Sequence, residues 1–548
     1  MKLSSQLAAA FVLIALFLAL LAPQAGSRFI KPIEQFGARI AKRKLLSIFL
    51  VVLATVLIRV SLLSLYPVPF PQVGDEFSYL LAGDTFAHGR LANPPHPMWI
   101  YLDTIHVNQH PTYMSKYPPG QGAFLALGQV LGNPWIGVVI SVALMCGAIV
   151  WMLQGWLPPQ WALLGGVLAV LRLGIFSYWM NSYWGGAVAA LGGALVVGAL
   201  PRIMRFHRAR DATPLGLGIA ILAMSRPFEG AIFCLPVFVV LTIWLFRRRS
   251  PAWRVTALRI VLPVCGVLAA LALFMGYYNW RGTGHPLLFP YVLNSRTYMS
   301  QPDFVWQKAR APLHYLNPQF DAFYNVWSRQ KAFAGQANTI PRALRVLRSD
   351  VVMFVGFFLW AELCVPVLAL PWILTDRRTQ FLLLQFVFCF LALLLVVWFS
   401  PHYAAPITAT TFALLIQGMR HLRHWTWRGR PVGIGLTRAI VLCALILAPV
   451  HRFFMHLQPD LRYRWTFTKE LQAAPGDHLV IVRYSIDHDP NAEWVYNRAD
   501  IDDAKIVWAR EIPGISMQPL LSYFHNRDVW LVTADSNPPR LSAYLPPP

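Results

Sequence analysis

The sequence predicts an all-α polytopic membrane protein of about 11–12 transmembrane helices with a small C-terminal extramembrane α/β domain. The first observation is composition: the 548 residues are 56% hydrophobic and only 13% charged, which is far too apolar for a soluble chain of this length. The second is that the basic residues fall in short clusters between apolar runs. The third is a change of composition near residue 477, where strand-like and helix-like runs replace the long apolar ones.

The first segment, residues 1–44, combines an apolar run at 7–22 with a basic stretch. The run ends in "LLAPQAGS", whose small residues resemble a signal-peptide cleavage site. Cleavage would export the basic cluster between Arg28 and Lys44, against the usual charge rule. We therefore favour an uncleaved extra span or a misassigned start over a cleaved signal peptide.

The basic clusters give an orientation. The positive-inside rule assigns them to the cytoplasm. They are Arg28 to Lys44, Arg202 to Arg210, Arg247 to Arg259, Arg377 with Arg378, and Arg420 to Arg438. The segment from about Tyr66 to Pro118, where acidic residues outnumber basic ones, must then face outward. We expect a multi-pass protein of a bacterial-type cytoplasmic (inner) membrane.

Apolar runs of roughly 20 residues alternate between the two sides from residue 45 to residue 451. They lie near 45–65, 134–154, 161–177, 183–200, 214–225, 228–246, 257–278, 351–374, 380–399, 403–419 and 435–451. This parity predicts a transmembrane domain at 45–451 with external loops at 66–133 and 279–350. It also predicts an external, periplasmic domain at 452–548.

Charge and cysteine usage exclude several classes. The excess of 47 Lys and Arg over 24 Asp and Glu is clustered as at a membrane face, so no nucleic-acid partner is expected. The six cysteines all lie inside apolar runs without a CxxC pair, so neither a disulfide framework nor a zinc site is indicated. No P-loop, HExxH or GxSxG signature is present.

The first external loop holds the strongest chemical signal. Asp75 and Glu76 follow the first long span directly. They could be solvated loop residues or cap the helix that follows. Downstream, Lys116 stands between Tyr113 and Tyr117 and ahead of a Pro-Pro turn, before a short helix expected at 121–131. A carboxylate that accepts a proton and a cation that holds a phosphate suit a lipid-phosphate substrate.

These residues resemble a known family. An Asp-Glu pair after the first span, Tyr79 a few residues later, and "KYPPG" before a short juxtamembrane helix are similar to the GT-C class of membrane glycosyltransferases. Protein O-mannosyltransferases and the aminoarabinose transferases that modify lipid A are the relatives suggested. The resemblance implies a GT-C-like fold and transfer of a sugar from a polyprenyl-phosphate donor to an acceptor outside the membrane.

The resemblance also implies roles for individual residues. Asp75 matches the catalytic base of the family, and Glu76 matches its neighbour, so both are candidate catalytic residues. Lys116 matches the lysine that contacts the donor phosphate. The order Lys-Tyr-Pro-Pro is one residue longer than the family's Lys-Pro-Pro element, and Asn181 stands where many relatives carry a second acid. Inversion and retention at the sugar both remain open.

Further polar and aromatic residues near span ends are candidate substrate-binding residues, because ionisable groups at membrane depth are often functional. Besides Lys116, these candidates are Tyr79, Tyr117, Arg59, Arg226, Glu229, His402 and Tyr403. Arg59 could equally anchor its span by snorkelling. Arg226 and Glu229 could equally form a structural ion pair.

The expected partners are the bilayer, a polyprenyl-phosphate sugar and an acceptor that is a lipid, a glycan or a protein. No cofactor is expected, because Lys and Arg can stabilise a leaving phosphate; a divalent metal is possible but not indicated. Asp487-His488-Asp489 mimics a DxD metal motif, although a loop or capping role explains it as well. A lipid or sugar transporter or flippase and a non-catalytic scaffold remain the alternatives, although we find no internal repeat of the transporter kind.

Overall fold

A computed structural model describes residues 2–247, 252–449 and 459–545. The described chain is mainly helical up to residue 449 and ends in a small α/β domain. It is therefore a polytopic helical protein with a C-terminal α/β domain, as the composition predicts.

The helical region consists of α-helices interrupted by short π- and 3₁₀-helical turns. The α-helices before residue 450 are Lys2–Leu21, Ser27–Lys42, Lys44–Ser61, Gly74–Ala87, Trp99–Leu102, Pro119–Val130, Pro134–Trp156, Pro159–Ala169, Ala187–Phe206, Ala209–Ala223, Pro227–Phe246, Trp253–Thr256, Leu262–Thr283, Pro290–Tyr298, Pro318–Phe320, Arg329–Gly335, Ile340–Phe354, Trp360–Cys364, Leu370–Thr375, Gln380–Leu393, Thr408–Arg423 and Val432–Leu447. The π-helical turns are Val170–Ile175, Ala257–Val261, Asp321–Ser328 and Val355–Leu359, and the 3₁₀ turns are Val365–Ala369 and Ala405–Ile407.

Each predicted apolar run overlaps a helix or a series of helices in the described residues. Residues 450 and 451, the end of the run predicted at 435–451, lie outside the described residues. Among the described residues, six helical segments are long and apolar enough to cross a membrane: Lys44–Ser61, Pro134–Trp156, Ala187–Phe206, Pro227–Phe246, Trp253–Thr283 and Ile340–Thr375. Shorter apolar helices occupy Gln6–Leu21, Pro159–Ile175, Gln380–Leu393 and Val432–Leu447. That these also cross the membrane, giving eleven or twelve spans, stays a prediction.

Residues 66–133, predicted as the first external loop and called so below, are packed tightly against the helical bundle. The last helix of this loop, Pro119–Val130, corresponds to the one expected at 121–131 and begins at the Pro-Pro turn. This helix crosses Pro134–Trp156 so closely that a Cβ atom on Gly137 would lie 1.8 Å from the carbonyl oxygen of Phe124. Only glycine permits this approach, which fixes the lysine-bearing segment at the mouth of the bundle.

The C-terminal domain is a helix and a four-stranded sheet. The helix Pro459–Ala473 leads into it, and a short helix, Gln518–Tyr523, lies between strands. Two short strands of the first external loop, β1 (Val107–Asn108) and β2 (Met114–Ser115), precede these elements in the chain. The domain's strands are β3 (His478–Arg483), β4 (Ile506–Arg510), β5 (Asp528–Thr533) and β6 (Arg540–Ala543), in the order β4-β3-β5-β6. Strand β3 pairs in parallel with β4 and β5, and β6 is antiparallel to β5.

One predicted element of this domain is wrong. The pattern of "NAEWVYNRADIDDAKIVWARE" predicts a helix followed by a strand; the strand is β4, but the segment before it, from Asn491 to Lys505, is irregular. Tertiary contacts satisfy its backbone instead: the Arg464 guanidinium donates to the carbonyl oxygens of Trp494 (2.7 Å) and Tyr496 (3.0 Å). The Trp494 ring is buried in one cluster with Phe467 and Trp508, so tertiary packing overrides the local helix propensity.

The C-terminal domain rests on the first external loop. Arg498 Nη2 lies 3.2 Å from Asp84 Oδ1, and the N–H of Ala499 donates to Asp84 Oδ2 at 2.8 Å. The ring of Tyr496 stacks on Phe77, with centroids 4.2 Å apart. The two segments therefore lie on the same side of the bundle.

Candidate active site

Asp75 lies in the first turn of the helix Gly74–Ala87, which we call the aspartate helix. The prolines at 67, 69 and 71 keep the preceding chain extended, so the helix starts abruptly after Val73. A carboxylate in the first turn faces the positive end of the helix dipole, which stabilises its ionised form. The Asp75 side chain is 27% exposed, so it remains accessible to a substrate.

Glu76, the neighbour of Asp75, has a different environment. Its side chain is completely buried. Oε2 accepts the N–H groups of Gln72 (2.7 Å) and Val73 (3.2 Å), and Oε1 accepts the N–H of Tyr183 (2.9 Å). Burial raises the pKa of Glu76 to about 7 despite these hydrogen bonds. With both oxygens engaged, this geometry favours the capping alternative for Glu76 over the catalytic role that we carried over from the family.

Tyrosines surround the Asp75 carboxylate. Tyr117 donates a short hydrogen bond from its hydroxyl to Asp75 Oδ1. The ring of Tyr79 stacks on Tyr117 with centroids 4.3 Å apart. On the other side, Nε2 of His106 lies 3.9 Å from Asp75 Oδ2. Burial, with the Asp75 charge, raises the pKa of both tyrosines, so both hydroxyls are neutral.

Lys116 is buried close to Asp75. The side chain is only 5% exposed, and its Nζ lies 5.2 Å from the ring centroid of Tyr117 and 5.3 Å from that of Tyr291. Burial lowers the pKa of Lys116 to about 8, although the nearby charges of Asp75 and Asp303 act in the opposite direction. The ammonium group is therefore a buried cation between aromatic faces and two acids.

A small network holds the lysine segment against the aspartate helix. Strands β1 and β2 pair in an antiparallel hairpin just before Lys116. The N–H of Lys116 and the hydroxyl of Ser78 both donate to the carbonyl oxygen of His106, at 3.2 Å and 2.7 Å. The hydroxyls of Ser78 and Ser115 are 2.8 Å apart. Asp75 and Lys116 are thus positioned by the same hydrogen bonds.

Arg226 and Tyr403 lie on the opposite side of Tyr79. The Arg226 guanidinium sits 4.5 Å from the Tyr403 ring centroid, and its Nη1 is 3.9 Å from Glu229 Oε1. This separation is longer than a hydrogen bond, so the pair is loose. Tyr79 is near enough to interact electrostatically with Arg226, Glu229, Tyr403 and Asp75. Seven of the ten predicted residues therefore converge: Asp75, Tyr79, Lys116, Tyr117, Arg226, Glu229 and Tyr403.

His402 borders this cluster. Its ring stacks on Tyr403 with centroids 5.0 Å apart and lies 4.6 Å from the ring of Trp184. Its Nδ1 is 2.9 Å from the hydroxyl of Tyr178. His402 is 3% exposed, so it is a buried neighbour that packs against Tyr403.

Arg59 lies outside the cluster of residues around Asp75. Its guanidinium donates to the carbonyl oxygens of Tyr66 (2.8 Å) and Pro67 (3.3 Å) and lies 4.5 Å from the ring centroid of Trp135. These contacts fasten the chain that leaves the first long span. The geometry favours the anchoring alternative over contact with a donor phosphate.

Sequence reasoning missed three residues of the cluster. His106 belongs to the first external loop, while Tyr291 and Asp303 come from the second. Tyr291 Oη is 3.2 Å from Asp303 Oδ1, and Asp303 interacts electrostatically with Lys116. Burial raises the pKa of Asp303. No local motif marks these positions, because only the packing of one loop on the other brings them to Lys116.

The part of the chain that the structure describes contains no group of three His, Cys, Asp or Glu residues arranged to hold a metal ion. In the DxD-like segment, His488 Nδ1 lies 2.6 Å from Asp535 Oδ1, and Asp489 Oδ1 accepts the N–H of Asn491 at 3.0 Å. Both contacts are those of a stabilised loop.

Known proteins are similar to this chain in structure but not in sequence. No protein-family model matches the chain, and no curated protein sequence matches it. An oligosaccharyltransferase from Archaeoglobus fulgidus is similar, with 11% identity over 89% of this chain and 69% of that chain and a TM-score of 0.47. ArnT from Cupriavidus metallidurans is similar at 11% identity over 88% of this chain and 92% of that chain, with a TM-score of 0.45.

The same ArnT has also been solved bound to undecaprenyl phosphate, and that structure gives a TM-score of 0.42 at 10% identity over 88% of this chain and 92% of its own. Both neighbours are GT-C glycosyltransferases, the class that the motifs of the first external loop resemble. At such identities, and with TM-scores below 0.5, the likeness establishes neither the activity nor the substrates of this chain.

Proposed function

We propose that the chain is a GT-C-type glycosyltransferase of the cytoplasmic membrane. It would transfer a sugar from a polyprenyl-phosphate donor to an acceptor hydroxyl on the outer face, where the C-terminal domain also lies. The observation that carries this proposal is the convergence of a partly exposed carboxylate, Asp75, with the buried cation of Lys116 and with Arg226 beside a bundle of apolar helices. A water-soluble sugar phosphate would not need a site at this position.

Asp75 supplies the base. An acceptor hydroxyl is a poor nucleophile until a base accepts its proton as the new bond to the anomeric carbon forms. The first turn of the aspartate helix carries Asp75, and the Tyr117 hydroxyl donates to its Oδ1, so both hold the carboxylate in place. The proton of the acceptor passes to Asp75, and the bond between the anomeric carbon and the phosphate oxygen breaks.

Lys116 and Arg226 stabilise the leaving group. Cleavage leaves a negative charge on the polyprenyl phosphate, and nearby cations in a water-poor site lower the energy of that charge. Their aromatic neighbours, Tyr117 and Tyr291 for Lys116 and Tyr403 for Arg226, hold both cations without neutralising them. We therefore propose a reaction that does not need a divalent metal, and EDTA should leave the rate unchanged.

Release of polyprenyl phosphate is the direct test. Purified protein in liposomes would be given a panel of polyprenyl-phosphate sugars together with lipid, glycan and peptide acceptors. We expect one donor to yield free polyprenyl phosphate, and we expect Lys116→Met to raise the KM for that donor about 10-fold or more, as loss of a charge-assisted contact does. Movement of an intact donor across the bilayer without release would instead support a flippase.

A further inference from the structure

His106 occupies an unusual backbone conformation beside Asp75. Its φ angle is +66°, in the left-handed region that non-glycine residues rarely adopt. Two hydrogen bonds to its carbonyl oxygen, from Ser78 Oγ and from the N–H of Lys116, hold this conformation. The strained backbone at His106 is thus held by both of the segments that carry Asp75 and Lys116.

The ring of His106 is enclosed and points to Asp75. The side chain is 12% exposed, and its Nε2 lies 3.9 Å from Asp75 Oδ2. Phe323 of the second external loop packs edge-on against the ring, with centroids 5.4 Å apart. A Cβ atom added to Gly74 would be 3.2 Å from Cδ2 of His106. Within the described chain, its buried Nδ1 has no hydrogen-bond partner.

We infer that His106 is a positioning residue: its Nε2 flanks Asp75 Oδ2 while Tyr117 binds Oδ1, so that the carboxylate is held between them and aimed at the acceptor hydroxyl. The inference rests on the proposed function. The separation of 3.9 Å is longer than a hydrogen bond, and catalytic contacts of this kind commonly shorten when substrate binds. The strained backbone at His106 is then the means of placing Nε2 at this point.

The charge state of His106 excludes a role as a charged group. The titratable groups around His106 are Asp75 and Tyr117 beside its ring, Lys116, whose charge acts on the ring, and Tyr324, which contacts the His106 backbone. Burial and the Lys116 charge lower the pKa of His106 to about 3, against the opposing effect of Asp75. The imidazole is therefore neutral at physiological pH and acts through its orientation.

Two substitutions separate the side-chain role from the backbone role. In His106→Gln the amide nitrogen can occupy the place of Nε2. His106→Asn suits the positive φ better but cannot reach that place. We expect His106→Asn to lower kcat about 10- to 100-fold with little change in the KM for the donor, as misplacement of a reacting group does. We expect His106→Gln to retain most of kcat, and the pH profile of both variants to keep the wild-type shape. His314→Gln, an exposed histidine of the second external loop, is the matched control.

Full kcat in His106→Asn, or equal losses in Asn and Gln, would overturn the inference while leaving the transferase standing. A thermal-unfolding cycle with Asp75→Asn, His106→Asn and the double variant tests the contact without any transfer assay, because asparagine at 106 removes the group next to Asp75. Side chains in contact give non-additive effects. Additive shifts in Tm would overturn the positioning role, even if no donor were turned over.

Discussion

At the residue scale, two adjacent acids have opposite environments. Asp75 is partly exposed and receives one hydrogen bond from a side chain. Glu76 is completely buried and accepts three backbone N–H groups. The sequence shows the Asp-Glu pair, but not that the two acids have different roles. One of the three N–H groups that bind Glu76 belongs to Tyr183, more than 100 positions away.

Because their environments differ, we predict that neutralising Glu76 has a different effect from neutralising Asp75. Glu76→Gln replaces one accepting oxygen by an amide group that cannot accept, so at least one buried N–H loses its partner. We expect it to lower the free energy of unfolding by about 1–3 kcal/mol, which a shift in Tm in detergent would measure. The specific activity of the protein that remains folded should stay within about 3-fold of wild type, well short of the losses that removal of a general base causes. Loss of activity without loss of stability would return Glu76 to the reacting groups.

From the pKa of Lys116 we predict how kcat/KM for the donor depends on pH. Its folded pKa, about 8, lies below the ordinary value of 10.5 because the group is buried, so its charge is complete below pH 7 and lost above pH 9. We expect kcat/KM for the donor to fall as pH rises through about 8, since kcat/KM reports the free enzyme. Lys116→Arg should move this fall beyond pH 10, whatever its absolute rate. A wild-type profile that stays flat to pH 10 would contradict the role of Lys116 as the titrating cation.

At the element scale, the aspartate helix depends on a glycine at its first residue. A Cβ atom on Gly74 would lie 2.6 Å from the hydroxyl oxygen of Tyr496 and 3.0 Å from Cδ1 of Ile105. The ring of Tyr496 is stacked on Phe77 and cannot move away easily. The C-terminal domain therefore approaches the aspartate helix at the turn that carries Asp75.

We predict that Gly74→Ala lowers both stability and activity, although alanine favours a helix more than glycine does. Overpacking of this kind costs about 1–3 kcal/mol. Tyr496→Phe removes the closest atom and should restore part of the loss in the double variant, measured as Tm and as transfer rate. An additive double variant would show that Tyr496 does not cause the clash.

The elements themselves were predictable wherever a long apolar run decides the structure. The helices Pro134–Trp156 and Pro227–Phe246 follow the runs expected at 134–154 and 228–246 closely. The segment from Asn491 to Lys505 was not predictable, because Arg464 and the buried ring of Trp494 hold it in an irregular conformation. Strand β6 was missed because its four residues carry no strong alternation.

At the scale of the whole molecule, the contacts of the C-terminal domain show on which side of the membrane it lies relative to the first external loop. Asp84 of the first external loop binds Arg498 and Ala499 of the C-terminal domain, so both segments must lie on one side of the membrane. The candidate site residues come from segments that are far apart in the sequence, such as Asp75, Arg226 and Tyr403. Sequence reasoning could name these residues as polar groups at span ends, whereas their convergence depends on how the helices pack.

Cysteine accessibility tests the side on which the site lies. We predict that Ile486→Cys, which replaces an almost fully exposed residue of the C-terminal domain, reacts in intact spheroplasts with a thiol reagent that cannot cross membranes. Arg377→Cys, in a basic cluster, should react only after lysis, with the wild-type chain as the background control. The reverse pattern would place the site in the cytoplasm and contradict the proposed outer-face reaction.

The central claim is that Asp75 is the base of a polyprenyl-phosphate-dependent transferase. The most direct measurement compares polyprenyl-phosphate release by wild type, Asp75→Asn and the exposed-acid control Asp487→Asn, each checked for folding by its Tm. We predict that Asp75→Asn loses at least about 100-fold in kcat, within the range of lost general-base catalysis, while Asp487→Asn matches wild type. Release that survives in folded Asp75→Asn would contradict the account.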